Sequence, residues 1–431
     1  MPSPLMRLLY QFFRLLARLM TGVYYRRRLV LGREHLRFEG PAIIISNHPS
    51  TLSDILNIGI HVRQTMFFLA NYGLFRHPVS NWLLSRLYCI PIKRKEDVPE
   101  GELRNNDVYF EQAYRHLERR GLLYVAPEGY SWMHRYVLPF KTGTARIAFG
   151  AEACNNWAAD LKIVPVGLSY NAPHWFRSDV VVHFGAPIRV SEWRDRFEAD
   201  EEQAVRELTE TLHAAVRNLC VHTGDLRGQT RLGRLELLAG RRHRLATKRD
   251  YAQSRFFADQ LIRDEQRMQQ IDRLFALLRK AHIPYAAFFA EKRVEASAWI
   301  WRIPLLAAGA PLALIGLIWW FVPCRAPWAL NRRLGIYIGY SPVVKMLAGL
   351  ITFSAALWAA WRLGAYLAGG EWYGLGAAVL AALAGFWADA WLEQGRLLLK
   401  TCQGRRLLRR NPALAQTLAA QYEQGLRVLA G

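Results

Sequence analysis

The chain has 431 residues, 52% of them hydrophobic and 12% aromatic, with 15 Trp and a formal net charge of +22. That length exceeds what one ordinary core organises, so two or three structural units are expected. A chain both basic and apolar seeks an anionic surface, and long apolar runs near the C-terminus select a membrane over nucleic acid.

Residues 1–34 read as an amphipathic interfacial helix. Arg7, Gln11, Arg14 and Arg18 share one helical face, and Leu8, Leu9, Phe12, Phe13, Leu16 and Met20 lie elsewhere. Arg14 and Arg18 break the run that a signal peptide needs. The competing reading is a helix that packs on the core and exposes its Arg stripe.

Residues 35–195 have an α/β texture, with a sheet covered by helices. Ala42-Ile43-Ile44-Ile45, Leu122-Leu123-Tyr124-Val125 and Ile163-Val164-Pro165-Val166 read as strands, alternating with helical stretches at 105–120 and 142–155. Pro165 has no N–H to give, so the third strand is expected at an edge, or to end there.

Two of these strands run into residues suited to chemistry. After the first come Asn47, His48 and, further on, Asp54. A carboxylate beside an imidazole fixes its tautomer and steadies the imidazolium that forms when the ring takes a hydroxyl proton. Alone the pair is a weak signal, because Asp also caps helices. After the second strand comes Ala126-Pro127-Glu128-Gly129, a loop in which Gly lets backbone amides approach an anion. Ser50, Ser53 and Ser131 lie nearby, with no nucleophile motif around them.

Taken in order, the motifs resemble the glycerolipid acyltransferase family, the glycerol-3-phosphate and 1-acylglycerol-3-phosphate acyltransferases. The family's first block is matched by Asn47, His48 and Asp54, and its second by Asn71, Leu74, Asn81 and Arg94. Pro127-Glu128-Gly129 with Leu138–Arg146 is similar to the third block, Val164–Leu168 to the fourth, and Phe184–Ile188 to the closing segment. Five residues separate His48 from Asp54, as in a bacterial subgroup. Asn71 and Asn81 replace the usual Lys and Gly, and Tyr130-Ser131 stand where many members have Thr-Arg. The resemblance implies direct acyl transfer, with His48 as base and Asp54 orienting it. It also implies Arg94 on the acceptor phosphate, with Asn47, Glu128, Gly129 and Lys141 around the substrate. It implies no metal and no cofactor, the donor being a substrate thioester on coenzyme A or acyl carrier protein. Arg suits phosphate because its planar fork gives two charge-assisted hydrogen bonds. The expected acceptor is glycerol 3-phosphate or a related phosphate-bearing glycerol. A lysophospholipid acceptor, or a non-enzymatic membrane scaffold of the same fold, is the alternative.

Residues 196–300 read as a basic helical region. Between 227 and 249 eight Arg or Lys face only Glu236, either as a solvated face or as an attraction to anionic lipid. Residues 301–395 read as membrane-embedded, with apolar segments near 303–322, 346–366 and 374–391, and 396–431 as a basic cytoplasmic tail. Basic flanks stay cytoplasmic. The expected topology is therefore a hairpin of the last two segments, with Pro304 and Pro311 interrupting the first so that it does not cross. Membrane lipids are thus expected partners, nucleic acid is not, and the catalytic domain is expected on the cytoplasmic face. The five cysteines lack metal-ligand spacing and read as reduced thiols, buried as small apolar residues.

Overall fold

The computed structural model describes residues 4–78, 81–82, 84, 89–93, 107–240, 245, 247–293 and 298–430. The chain divides into two compact units. The first comprises 1–229, 244–258 and 338–342, and the second 230–243, 259–337 and 343–431.

The first unit opens with helix α1 (Pro4–Tyr24), followed by strand β1 (Tyr25–Leu31) and strand β2 (Ala42–Ser46). Helix α2 (Leu52–Gly59), β3 (Met66–Asn71), β4 (Cys89–Ile92), α3 (Asp107–Glu118), β5 (Leu122–Val125) and α4 (Gly143–Cys154) come next. After them come β6 (Lys162–Tyr170), β7 (Ser178–Phe184), β8 (Ile188–Arg189), α5 (Arg194–Ala199) and α6 (Glu201–Asn218). The sheet order is β1-β7-β6-β2-β5-β3-β4, with β8 beside β6. Pairing is parallel except where β6 meets β7 and β8. The run Ala-Ile-Ile-Ile-Ser of β2 is wholly buried, as a central parallel strand covered on both faces must be. On one face, Ile43, Ile45, Leu123, Val125 and Ile163 pack with Phe149 of α4 and Leu208 and Leu212 of α6.

Two expectations need correction here. The amphipathic helix stops at Tyr24, and residues 25–31 are a strand of the sheet rather than its continuation. Strand β6 is interior and runs unbroken through Pro165. Its neighbour on that side changes at this point: β8 pairs with Lys162 and Ile163, and β7 begins at Val166. Pro165 falls in the gap, where no ladder donor is required.

Helix α1 turns its Leu/Phe stripe outward: Leu5, Leu8, Phe12, Leu15 and Leu19 are all exposed. Its opposite side buries Ala17, Met20, Thr21 and Tyr24. Arg14 donates to the carbonyl of Val62 at 2.8 Å, and Arg18 donates twice to that of Ile60, at 2.9 and 3.2 Å. These guanidiniums grip the C-terminal end of α2, where carbonyls lack helical partners. The helix therefore packs one side on the core and exposes an apolar stripe on the other, with Arg14 and Arg18 bound to neighbouring carbonyls.

The first unit also holds α8 (Lys248–Asp259), which follows α7 (Leu226–Leu238) in the chain. The second unit contains α9 (Glu265–Lys280), α10 (Tyr285–Arg293), α11 (Ala298–Leu334), α12 (Ser341–Ala368), α13 (Glu371–Arg409) and α14 (Pro412–Ala430). Part of the basic run is internally neutralised: Arg231 pairs with Glu265 at 2.5 Å, and Arg234 pairs with Asp272. Among the described residues three helices are long and apolar enough to cross a membrane, around Trp299–Leu334, Ile338–Ala368 and Glu371–Arg409, as in a membrane protein. Pro304 and Pro311 do not interrupt the first, since α11 is continuous through both, as membrane helices allow. Helix α13 likewise runs past residue 395 without a break.

Helices α11 and α13 are antiparallel, joined by three tryptophan rungs. The indole N–H of Trp391 donates to Leu306, that of Trp387 to Gly309 and that of Trp320 to Ala381. The final helix α14 packs on α9, and Tyr422 sets its ring against Phe288 and Phe289 of α10. Cys89 and Cys220 are buried, whereas Cys154, Cys324 and Cys402 are exposed, contrary to the expectation of uniform burial.

Candidate active site

Ile45 of β2 lies opposite Val125 of β5 in a parallel pair, so the loops leaving both strands emerge at the same sheet edge. In open α/β sheets the carboxyl ends of parallel strands are where ligands bind. One loop carries His48 and the other carries Glu128. Trp132 N–H donates to the His48 carbonyl at 3.0 Å and ties the loops together.

His48 Nδ1 lies 3.0 Å from Asp54 Oδ2, with His48 15% exposed and Asp54 fully buried. The approach is a close electrostatic contact rather than an aligned hydrogen bond. Asp54 sits in the first turn of α2 and accepts from the Ser50 N–H at 2.7 Å and the Tyr170 hydroxyl at 2.8 Å. These bonds hold the carboxylate still beside a partly exposed imidazole, an arrangement suited to a general base.

Glu128 is 4% exposed, and its Oε1 has no hydrogen-bond partner among the described residues. Burial pushes its carboxyl up to about 8; the Asp54 charge adds to this, and backbone N–H groups at Leu138 and His48 oppose it. Next to it Gly129 has φ +72°, and a Cβ there would come within 2.8 Å of Lys141 Nζ. Glycine is needed for its conformation, and its lack of a side chain lets the Lys141 ammonium lie close. The Lys141 ammonium lies over the Tyr130 ring, 4.5 Å from its centroid.

Asn47 does not stand free to meet substrate. Its amide donates to the Leu168 carbonyl at 2.9 Å and accepts from the Leu168 N–H at 2.8 Å. Its place is that of a strut between β2 and β6. Asn71, standing where the family has Lys, accepts from Gly73 N–H at 2.6 Å and caps a short turn. Arg94 lies outside the described residues. Ser131 accepts from Thr51 N–H at 3.1 Å, and the Ser53 hydroxyl donates to the Ser50 carbonyl at 2.9 Å, so neither is set up as a nucleophile.

A cavity of about 450 Å³ is lined by Asn47, Pro49, Met133, Tyr170 and Ile338 among others, so it reaches the residues on either side of His48. Tyr170 escaped the sequence reading, although it follows Leu168 at the spacing that puts both on one face of β6. Thr51 and Ile338 carried no local signal at all.

With this geometry in hand, comparison with known proteins is decisive for residues 27–169, which match the acyltransferase family model. The chain carries an acyltransferase-family domain. Glycerol-3-phosphate O-acyltransferase 1 of Saccharomyces cerevisiae is 34% identical over 121 residues, covering 27% of this chain and 16% of that one. Glycerol-3-phosphate O-acyltransferase 2 of the same yeast is 29% identical over 119 residues, 26% of this chain and 16% of that one. An uncharacterized acyltransferase of Schizosaccharomyces pombe is 26% identical over 207 residues, 44% of this chain and 30% of that one. The chain thus spans less than a third of the length of these relatives. The crystal structure of the 1-acyl-sn-glycerophosphate (LPA) acyltransferase PlsC from Thermotoga maritima is similar at 19% identity and a TM-score of 0.37. It covers 50% of this chain and 79% of that one. The acyltransferase domain begins at β1 and ends in β6, so it includes His48, Asp54, Glu128, Gly129 and Lys141.

Proposed function

We propose that the chain transfers a fatty acyl group from an acyl thioester to a hydroxyl of glycerol 3-phosphate or a related phosphate-bearing acceptor, in phospholipid synthesis. The observation that carries this reading is the His48–Asp54 contact of 3.0 Å at the sheet edge of an acyltransferase domain.

In this mechanism Asp54 holds Nδ1, and Nε2 faces the acceptor hydroxyl. As the hydroxyl oxygen attacks the thioester carbonyl carbon, its proton passes to Nε2. Collapse of the tetrahedral intermediate breaks the carbon–sulfur bond, and the imidazolium returns the proton to the departing thiolate. The acyl group ends as an oxygen ester, and His48 is neutral again. Base catalysis of this type contributes roughly 10²–10⁴-fold. Arg94 and Lys141 supply positive potential for the acceptor phosphate, and Gly129 gives Lys141 its space. The neutral form of Glu128 favoured by burial leaves Asp54 as the single negative charge against the imidazole. The exposed Leu/Phe stripe of α1 supports placing the domain at a membrane surface; the cytoplasmic face is our reading of the basic flanks of the apolar segments.

The test is an assay of the purified protein in detergent. The acceptors are glycerol 3-phosphate, dihydroxyacetone phosphate and 1-acylglycerol 3-phosphate, each with coenzyme A and acyl-carrier-protein thioesters. Product with either of the first two acceptors is expected. Exclusive use of the lysolipid would move the assignment to a lysophospholipid acyltransferase. No transfer under any pairing would leave a non-enzymatic scaffold.

A further inference from the structure

Between His48 and Asp54 the chain makes a turn that L-residues avoid. Thr51 has φ 44° and ψ −124°, in the left-handed half of conformational space where a β-branched residue is strained. Such a conformation persists only where its surroundings over-determine it. Two bonds do so here. Thr51 N–H donates to Ser131 Oγ at 3.1 Å, and the Thr51 hydroxyl donates to the Gly339 carbonyl at 2.7 Å. Thr51 and Gly339 are both buried, so neither bond competes with bulk water.

Gly339 is a surprising partner. It is far beyond the acyltransferase domain in sequence, yet residues 338–342 belong to the catalytic unit. Its neighbour Ile338 walls the cavity that Asn47, Pro49 and Tyr170 also line. One short turn therefore touches both the backbone that spaces the base from its carboxylate and the space beside them.

We propose that the turn Ile338–Tyr340 is a positioning element of the acyl-transfer site, its Gly339 carbonyl holding Thr51 in the conformation that brings Asp54 to His48 while Ile338 walls the cavity that reaches Asn47 and Pro49. The proposal rests on the acyl-transfer reading for its kinetic consequences, not for its geometry. Without the Gly339 bond Thr51 relaxes towards an ordinary conformation, and the His48–Asp54 contact opens. Gly339 acts through its main chain, so the side to alter is Thr51.

Thr51→Val keeps the branched shape and the N–H to Ser131 but removes the donor to Gly339; Thr51→Ser keeps that donor. Thr51→Val should lower kcat about tenfold with KM values little changed, as loss of one buried hydrogen bond implies, whereas Thr51→Ser should stay near wild type. Amide hydrogen exchange over 46–54 should quicken in Thr51→Val alone. Ile338→Trp should raise the KM for glycerol 3-phosphate or for the acyl thioester, with kcat retained. Wild-type kcat and wild-type exchange in Thr51→Val would overturn the proposal, and so would unchanged KM values in Ile338→Trp. If the unaltered protein transfers no acyl group, the acyl-transfer reading fails, and the exchange arm still decides the role of the turn.

Discussion

Asp54 touches His48 with the same oxygen that accepts the Ser50 amide, so the carboxylate in contact with the imidazole is itself oriented by the loop that carries His48. Its other oxygen is held by Tyr170. His48→Ala should cut turnover by roughly 10²–10⁴-fold while the protein stays folded in detergent. Asp54→Asn should lose a large part of the same factor, because the amide cannot steady an imidazolium. Initial rates with unchanged melting curves check both, and near-normal turnover in His48→Ala would remove it from the mechanism.

Glu128 ties stability to pH. Its carboxyl titrates near 8 in the folded chain and at about 4.5 when exposed, so between those values the native state holds a proton that the unfolded state has released. By linkage, this group's contribution is fully present below the unfolded value and is lost as pH rises through the folded one. Denaturation between pH 5 and pH 9 should therefore show falling stability, and Glu128→Gln should flatten that slope. A parallel slope in the variant would place the proton elsewhere.

Arg18 should matter to a helix it does not belong to. Arg18→Ala removes two hydrogen bonds to the Ile60 carbonyl at the end of α2, costing about 1–2 kcal/mol. Chemical denaturation of the detergent-solubilised protein measures this. Arg18→Lys should recover only part, because an ammonium cannot reproduce the paired geometry. Full stability in Arg18→Ala would show that α1 is held by its buried apolar side alone.

Membrane topology has a parity test. Helix α14 packs on α9 and α10, which precede α11, so the chain returns to the side it left. Three successive full crossings would also make α11 and α13 parallel, and their tryptophan rungs run antiparallel. Cysteines introduced singly at Lys280 and Glu423, in a background lacking the native thiols, should react from the same face. Labelling from opposite faces would restore three crossings.

The closeness of His48 to Asp54 and the Glu128-Gly129 turn could be proposed from sequence because each follows a strand end at short range, and short-range spacing is what sequence displays. The central burial of β2 was legible for a similar reason, its unbroken apolar run. What escaped depends on distant partners. Nothing near Pro165 tells that β6 exchanges one neighbour for another at that residue. Tyr170 matters through a residue 116 positions away, and Thr51 through one 288 away. The two bonds of Asn47 to Leu168 were equally hidden, because they cross between strands. The prolines of α11 were overweighted, since a ring without an N–H breaks a helix in water more readily than among apolar neighbours.

The outward Leu/Phe stripe of α1 bears on how the chain can be made and handled. Its Arg14 and Arg18 are already committed to α2, so the helix cannot roll over to hide Leu8 and Phe12 without abandoning the carbonyls of Ile60 and Val62. As soon as the first unit folds, that surface needs a lipid or surfactant cover. Deleting the long C-terminal helices would therefore leave α1 and its sheet still prone to precipitate from plain buffer.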